Sequence, residues 1–348
     1  MRFFPLDSAK EQISKLSRSG AKTIKLVDRT FNCDSGRAYE LFEYIFSLDT
    51  DCCFHFEVAA DLFDERTLLL LGSAPPGRIQ LEAGLQSFHQ PALKTASRQT
   101  DLAKAVENIS ALLRNRNIHI HIDLIAGLPY ETLPDFEQGF DRAFALGAHT
   151  LQLGFLKLLH GSALRERADS LAISYSSDPP YEITGSPWLD AGDLLTVKAA
   201  ENALQHTYNK SRFLTSLSYV LSATGIKPFA LFRLLGEAAP SRATPLDDYA
   251  VELFKCLSGL SGVDCDELKD CMVFDWLGMV KGKNMPGFLK RPDKRRRQIA
   301  IAAEKKLGHV VARVETALLL SGAGVYVDIC DRDPVTGLYR VLCFSDTP

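Results

Sequence analysis

The sequence contains no pair of cysteines in the C-x2-C spacing that marks many zinc and iron–sulfur sites. Its 8 cysteines are spread over 348 residues, which is too sparse for a disulfide scaffold and favours a reducing compartment. From spacing alone we therefore predict no metal ligands in this chain.

Long apolar runs and an excess of one charge are also absent. No stretch approaches the ~18 residues of a membrane-spanning helix, and Met1–Leu6 lacks the apolar region of a signal peptide. Lys+Arg 40 against Asp+Glu 43 leaves a formal net charge of -3, which gives no chain-wide reason to bind nucleic acid or an anionic membrane. The sequence therefore predicts a cytoplasmic globular protein of roughly two domains.

The first two thirds of the chain alternate amphipathic helices with short apolar strands. The strands are spaced about 25 to 40 residues apart, as expected for successive βα units. This pattern predicts a parallel sheet, either open or closed into a barrel. The predicted strands are Thr23–Asp28, Cys53–Val58, Ile79–Ala83, Ile118–Ile125 and Thr150–Leu156.

Near residue 175 the pattern changes to loop-like segments, followed by a helix from about Ala191 to His206. From Ser211 onward the chain is mainly helical. It closes with two β-rich segments, Val325–Asp328 and Leu338–Leu342, which predict a hairpin because turn residues separate them. We place a domain boundary near 210, giving domains 1–210 and 211–348.

Polar residues follow nearly every predicted strand. The carboxyl ends of parallel strands meet at one edge of a sheet, where ligands bind in α/β folds. Packing alone does not account for this distribution, so it predicts a binding site at that edge. The residues concerned include Asp28, Glu57, Glu82, Gln86 and Asp123.

The strongest local pattern is Ile122–Thr132, in which an apolar strand carries Asp123 and leads into Gly127-Leu128-Pro129. A glycine here lets a planar ligand approach the backbone, since it has no Cβ. The alternative is a strand–turn–helix junction in which Asp123 only bonds the loop.

A second pattern runs from Glu82 to Phe88 and continues to Arg98. Gln86 and Ser87 offer neutral donors and acceptors suited to ribose hydroxyls, and Arg98 can bind a carboxylate through two hydrogen bonds. The alternative is a surface loop with an arginine near a helix end.

Together these patterns resemble the radical S-adenosylmethionine superfamily, especially the branch of oxygen-independent coproporphyrinogen oxidases. The chain is also similar to radical proteins with an N-terminal cobalamin domain and an uncharacterised C-terminal domain. The resemblance covers about residues 1–210. Its motifs, in order, are Val27–Asn32, Glu57, Gly84–Phe88, Leu93-Lys94 with Arg98, Asp123–Thr132 and Pro179–Glu182.

The resemblance implies S-adenosylmethionine as cofactor and a partial (β/α) barrel with a mainly helical C-terminal domain ending in a β-hairpin. It places Arg98 on the methionine carboxylate, and Gln86 and Asp123 near the ribose. The adenine would lie against the backbone of Gly127 and Leu128. The complete set of implied cofactor-binding residues is Asp28, Glu57, Gln86, Ser87, Arg98, Asp123, Gly127, Leu128 and Phe155.

Radical chemistry in this superfamily needs a 4Fe-4S cluster on three cysteines in a C-x3-C-x2-C loop, and the sequence has no such triplet. We expect the first strand and the cluster loop to precede this chain in the complete protein, together with a cobalamin-binding domain. Loaded with its cofactors, that protein would generate a 5′-deoxyadenosyl radical or methylate an unknown substrate. The chain alone is expected to be inactive.

Other candidates have plainer explanations. His119 and His121 share a strand face, where packing is favoured over a two-histidine metal site. A basic run over 281–297 could bind RNA, yet such runs are usually solvated, so we predict no nucleic-acid partner. The rival function is a cluster-free scaffold that binds a nucleotide or polyanion, or that partners a subunit carrying the cluster.

Overall fold

A computed structural model describes residues 3–238, 244–279, 285–290, 296–307 and 314–344. The chain divides into two units, Met1–Val197 and Lys198–Pro348. Helix α8, Ala191–His206, contains the point of division. The basic run over 281–297 lies largely outside the described residues.

The first unit is built on five parallel strands that neighbour one another in chain order and do not close into a barrel. The strands are β1 Thr23–Leu26, β2 Cys53–Val58, β3 Ile79–Gln86, β4 His119–Ala126 and β5 Thr150–Phe155. All five predicted strands are therefore present. The predicted fold class, an α/β partial barrel followed by a helical region with a terminal hairpin, is confirmed.

Helices connect these strands as the βα period requires. The helices are α1 Leu6–Ser17, α2 Ser35–Phe46, α3 Glu65–Gly72, α4 Gln90–Thr95, α5 Leu102–Arg114, α6 Leu133–Ala145 and α7 Ala163–Glu166. Two short antiparallel strands follow, β6 Ser174–Tyr175 and β7 Ile183–Gly185.

The two faces of the five-stranded sheet differ sharply in chemistry. One face is apolar and fully buried, as shown by Phe54 and Phe56 in β2 and by Ile122 in β4. Helix α2 packs on this face, since the rings of Phe42 and Phe56 lie 5.0 Å apart. The opposite face is polar, because side chains alternate along a strand. Its side chains include Lys25, His55, Glu57, Gln80, Glu82, His119, His121 and Asp123.

The second unit is mainly helical and ends in a small antiparallel sheet. Its helices are α9 Leu214–Thr224, α10 Pro228–Ala238, α11 Leu246–Ser258, α12 Cys265–Met279 and α13 Arg296–Leu307. The sheet contains β8 Val314–Leu318, β9 Gly324–Arg332 and β10 Tyr339–Cys343. The predicted hairpin corresponds to β9 and β10, while the sequence did not predict β8. Among the described helices, none is both long and apolar enough to cross a membrane.

Candidate functional site

A polar cavity opens at the carboxyl ends of β2, β3 and β4. Four residues predicted from separate motifs line it together, namely Glu57, Gln86, Arg98 and Asp123. They lie up to 66 positions apart in the chain (57 to 123) and meet here because parallel strands end at one edge. The remaining lining residues are Arg29, Thr30, Val58, Ala59, Ala60, Asp61, Glu82, Ala83, Gly84, Leu85 and Thr100.

The backbone at the end of β3 is irregular, and this irregularity sets the orientation of the Gln86 side chain. The pairing with β4 shifts register between Gly84 and Gln86, and Gln86 has a φ of 67°, in the left-handed region that non-glycine residues rarely adopt. A Cβ on Gly84 would lie 2.2 Å from Nε2 of Gln86. The amide therefore folds back over Gly84, and only a glycine at position 84 leaves room for it.

Arg98 is positioned by the end of α4. The backbone N–H of Arg98 donates to the carbonyl of Leu93 at 2.9 Å, and that of Ser97 donates to Lys94 at 3.1 Å. With Ser97 at a φ of 56°, this pattern is a Schellman motif, in which a left-handed residue ends the helix. The guanidinium of Arg98 forms no ion pair with any described carboxylate. It is thus available to an anionic ligand in the cavity.

Beneath the cavity, charged side chains cross the polar face of the sheet. Lys25 Nζ lies 3.5 Å from Glu57 Oε1 and 3.7 Å from Glu82 Oε2. His55 Nε2 lies 2.9 Å from the same oxygen of Glu82. The alternation of polar residues in β1 and β2 was the signal for Lys25 and His55, which the sequence analysis did not single out.

Asp123 faces His121, its neighbour but one on β4. His121 Nε2 lies 3.0 Å from Asp123 Oδ1, yet both atoms are buried and neither makes a hydrogen bond. No lysine or arginine among the described residues lies within ion-pair distance of Asp123. The carboxylate is therefore incompletely satisfied by the protein itself.

Five other residues predicted to bind the cofactor lie away from this cavity. Asp28 is exposed in the loop after β1 and lines a different groove, next to α1. Leu128 is buried, and Phe155 is the last residue of β5, paired with Ala126. Their roles in cofactor binding stay predictions.

Gly127 has a φ of 92°, and a Cβ there would lie 2.9 Å from Ile183 of β7. The lack of a side chain at position 127 is thus already required by the fold, because Ile183 occupies the space.

Ser87, the fifth of these residues, is buried against Glu131. Its Oγ donates to Glu131 Oε1 at 2.5 Å and accepts from the backbone N–H of His89 at 2.8 Å. Ser87 is buried and does not line the cavity that Gln86 lines. Burial raises the pKa of Glu131 to about 7, although the bond from Ser87 acts to lower it.

Glu131 makes the stability of the protein depend on pH. The folded pKa lies above the ordinary value of 4.5, so between these values the unfolded chain has already lost a proton that the folded chain keeps. Stability conferred by the protonated form is therefore lost as pH rises towards about 7. We expect the difference in unfolding free energy between wild type and Glu131→Gln to fall by about 2 to 3 kcal/mol over this window. Urea unfolding at several pH values measures it, and parallel curves for the two proteins would contradict it.

The described cysteines do not fit a 4Fe-4S cluster. Cys52 and Cys53 lie at the start of β2, the opposite edge of the sheet from the cavity, and Cys33 lies in the turn after β1. In the described part of the second unit, burial raises the pKa of Cys256 and Cys271, which disfavours thiolate ligands there. The one group of three metal-ligating side chains found among the described residues contains no cysteine; it is Glu82, His121 and Asp123.

Comparison with known proteins gives one family match and several structural ones. Residues 170–316 match a family described as a protein of unknown function, DUF4080, which is less than half of the chain. No curated protein matches. The solved structures that match include radical S-adenosylmethionine proteins. The chain is similar to radical S-adenosylmethionine enzymes.

Two of these structures illustrate the extent of the similarity. The methyltransferase TsrM from Kitasatospora setae, with cobalamin and a [4Fe-4S] cluster bound, is 19% identical with a TM-score of 0.44, over 53% of this chain and 38% of that one. Coproporphyrinogen III oxidase HemN from Escherichia coli is 18% identical with a TM-score of 0.42, over 56% and 44%. The chain thus spans less than half the length of either protein.

Proposed function

We propose that the cavity binds S-adenosylmethionine and that the chain is the cofactor-binding part of a radical S-adenosylmethionine enzyme. The observation that carries this proposal is the convergence of Glu57, Gln86, Arg98 and Asp123, from four separate motifs, on one cavity. When bound, S-adenosylmethionine would supply a sulfonium that an external one-electron donor could cleave to methionine and a 5′-deoxyadenosyl radical, or whose methyl group could be transferred.

Each of the four cavity residues suits one part of S-adenosylmethionine. The unpaired guanidinium of Arg98 suits the methionine carboxylate, since a planar guanidinium binds carboxylates through two parallel bonds. The amide of Gln86 and the carboxylate of Asp123 suit the ribose hydroxyls. Glu57, held by Lys25 at 3.5 Å, adds a negative charge that suits the cationic end of the ligand.

Because the described cysteines do not fit the cluster, we propose that this chain binds S-adenosylmethionine without cleaving it. Radical formation or cobalamin-dependent methylation, on a substrate of unknown class, would belong to the loaded protein. The rival proposal of a cluster-free nucleotide-binding scaffold predicts equal affinity for other adenine nucleotides.

Calorimetry with two ligands separates the roles of Arg98 and Asp123. Methylthioadenosine has the adenosine part of S-adenosylmethionine but no carboxylate. Arg98→Ala is expected to weaken S-adenosylmethionine about tenfold or more and to leave methylthioadenosine unchanged, whereas Asp123→Ala weakens both. The magnitude follows from a hydrogen bond to a charged group, worth about 1.5–3 kcal/mol. Titrations are run with a chelator present.

Two further variants test whether the amide of Gln86 and its orientation matter for binding. Gln86→Ala removes the amide, and Gly84→Ala displaces it by occupying its space, so both are expected to weaken binding several-fold. Gln80→Ala is the matched control, because Gln80 lies on the same face of β3 but outside the cavity. Equal affinity in wild type, Arg98→Ala and Asp123→Ala would refute the site. A preference for ATP over S-adenosylmethionine would favour the rival.

A further inference from the structure

We propose that Glu82, His121 and Asp123 form a binding site for one divalent transition-metal ion on the polar face of the sheet. One potential ligand atom from each residue lies within 4.8 Å of those of the other two. The proposal goes beyond S-adenosylmethionine binding, and it replaces the sequence-based prediction that the chain holds no metal ligand.

The backbone fixes this group in place. His121 and Asp123 are alternate residues of β4 and so share a face, while Glu82 is the direct partner of His121 in the pairing of β3 with β4. β3 and β4 are interior strands of the sheet, each paired on both sides. Ligands on rigid interior strands are preorganised, which a metal site requires.

The spacing of two of the atoms is that of metal ligands. His121 Nε2 and Asp123 Oδ1 are 3.0 Å apart, buried, and without a hydrogen bond. Two ligands each about 2.0–2.2 Å from an ion, at tetrahedral or octahedral angles, lie about 3 to 3.5 Å apart. An ion between them would satisfy both atoms, which meet each other at this distance but make no hydrogen bond.

The surrounding charge also favours a cation. Glu57, Glu82 and Asp123 bring three carboxylates to this face, and Lys25 is the one permanently charged group that pairs with them among the described residues. Arg29 and Arg98 line the cavity above without forming such pairs. A mixed set of imidazole and carboxylate ligands suits Zn²⁺, Co²⁺ or Ni²⁺ better than Mg²⁺, which prefers oxygen alone.

A second layer of contacts supports the ligands. His55 Nε2 lies 2.9 Å from Glu82 Oε2, and such outer partners orient a ligating carboxylate. His119, two residues before His121, is engaged elsewhere. It contacts Thr150 at 3.1 Å and stacks on His149, so the two-histidine arrangement weighed from the sequence is not formed.

Metal titration of the whole chain tests the site in the absence of S-adenosylmethionine. We expect calorimetry with Zn²⁺ to show one ion per chain and the ion to raise the thermal midpoint. His121→Gln and Asp123→Asn are each expected to lower the affinity at least ~10-fold, and His119→Gln, the matched imidazole control, to leave it unchanged. Circular dichroism checks that each variant is folded.

Cobalt distinguishes binding at this site from binding to cysteine thiolates. Co²⁺ bound by nitrogen and oxygen shows d–d absorption without a thiolate charge-transfer band, and the band intensity is expected to fall in His121→Gln. Equal Zn²⁺ affinity in wild type, His121→Gln and Asp123→Asn would overturn the proposal, as would a thiolate band. These titrations contain no S-adenosylmethionine, so a failure to bind metal would leave the proposed S-adenosylmethionine site untouched. The S-adenosylmethionine titrations contain a chelator, so a failure to bind the cofactor would leave the proposed metal site untouched.

Discussion

Asp275→Ala is expected to lower the unfolding free energy of the second unit by about 4 kcal/mol. The Asp275 carboxylate, on α12, accepts the backbone N–H groups of Thr215 and Ser216 at 2.9 Å each, and the Ser216 hydroxyl at 2.6 Å. These N–H groups belong to the first turn of α9, which has no partner of its own for them. Each buried donor left unpaired costs about 1–3 kcal/mol.

Asparagine at this position is the informative control. Burial raises the pKa of Asp275 in spite of these bonds, so the negative charge itself is costly and the accepting oxygen is what α9 needs. Asp275→Asn keeps one accepting oxygen but turns its NH2 group towards a backbone N–H that the other oxygen accepted, so it is expected to lose about half as much as Asp275→Ala. The chain has 2 tryptophans, Trp188 and Trp276, so urea unfolding followed by fluorescence in a Trp188→Phe background reports on the second unit. Equal losses in both variants would show that the charge, not the capping, is what matters.

Gly236→Ala is expected to destabilise the same unit by a similar amount, about 4 kcal/mol, for a steric reason. A Cβ on Gly236 would lie 1.8 Å from the carbonyl oxygen of Ala199 and 2.3 Å from its carbon. Both are backbone atoms of α8, so no side chain can move aside and the helices must separate. Inserting even one methyl group into a close-packed contact costs about 1–3 kcal/mol, and more where backbone must move.

Gly278→Ala is the matched control for that clash. Gly278 also lies within a helix, α12, but its Cβ would meet the Tyr339 carbonyl oxygen at 3.5 Å, an ordinary contact. Alanine favours helix over glycine by about 1 kcal/mol, so this variant should be as stable as wild type or slightly more stable. Thermal unfolding of the two variants side by side makes the comparison. Similar midpoints would mean that α8 and α10 are not packed as described.

The strands were predictable from sequence because an apolar run between polar segments is a local signal. The cavity followed from topology, since strand ends in a parallel sheet must meet, and Glu57, Gln86 and Asp123 were placed together for that reason. Arg98 was a candidate for carboxylate binding from its side-chain chemistry, and only the resemblance placed it with the strand-end residues. The position of Arg98 depends on the left-handed conformation of Ser97. A glycine at position 97 would have indicated a helix end of this kind, whereas a serine does not.

Adjacency in the chain is a poor guide to which side chains meet at this end of the sheet. Ser87 follows Gln86 in the chain but is buried against Glu131 and does not line the cavity, so its role in cofactor binding stays a prediction. Conversely, Lys25, His55 and His121 share one face with Glu82 while lying far from it in sequence. Cross-strand neighbours of this kind depend on register, which one sequence does not display.

The backfolded amide of Gln86 over Gly84 restricts how this strand can diverge. A side chain at position 84 requires that the amide at position 86 first be lost or turned away, whereas a change at 86 requires nothing of 84. The two positions are therefore coupled in one direction: a side chain at 84 turns the flexible amide away, and glutamine at 86 adopts the present geometry only where position 84 is glycine.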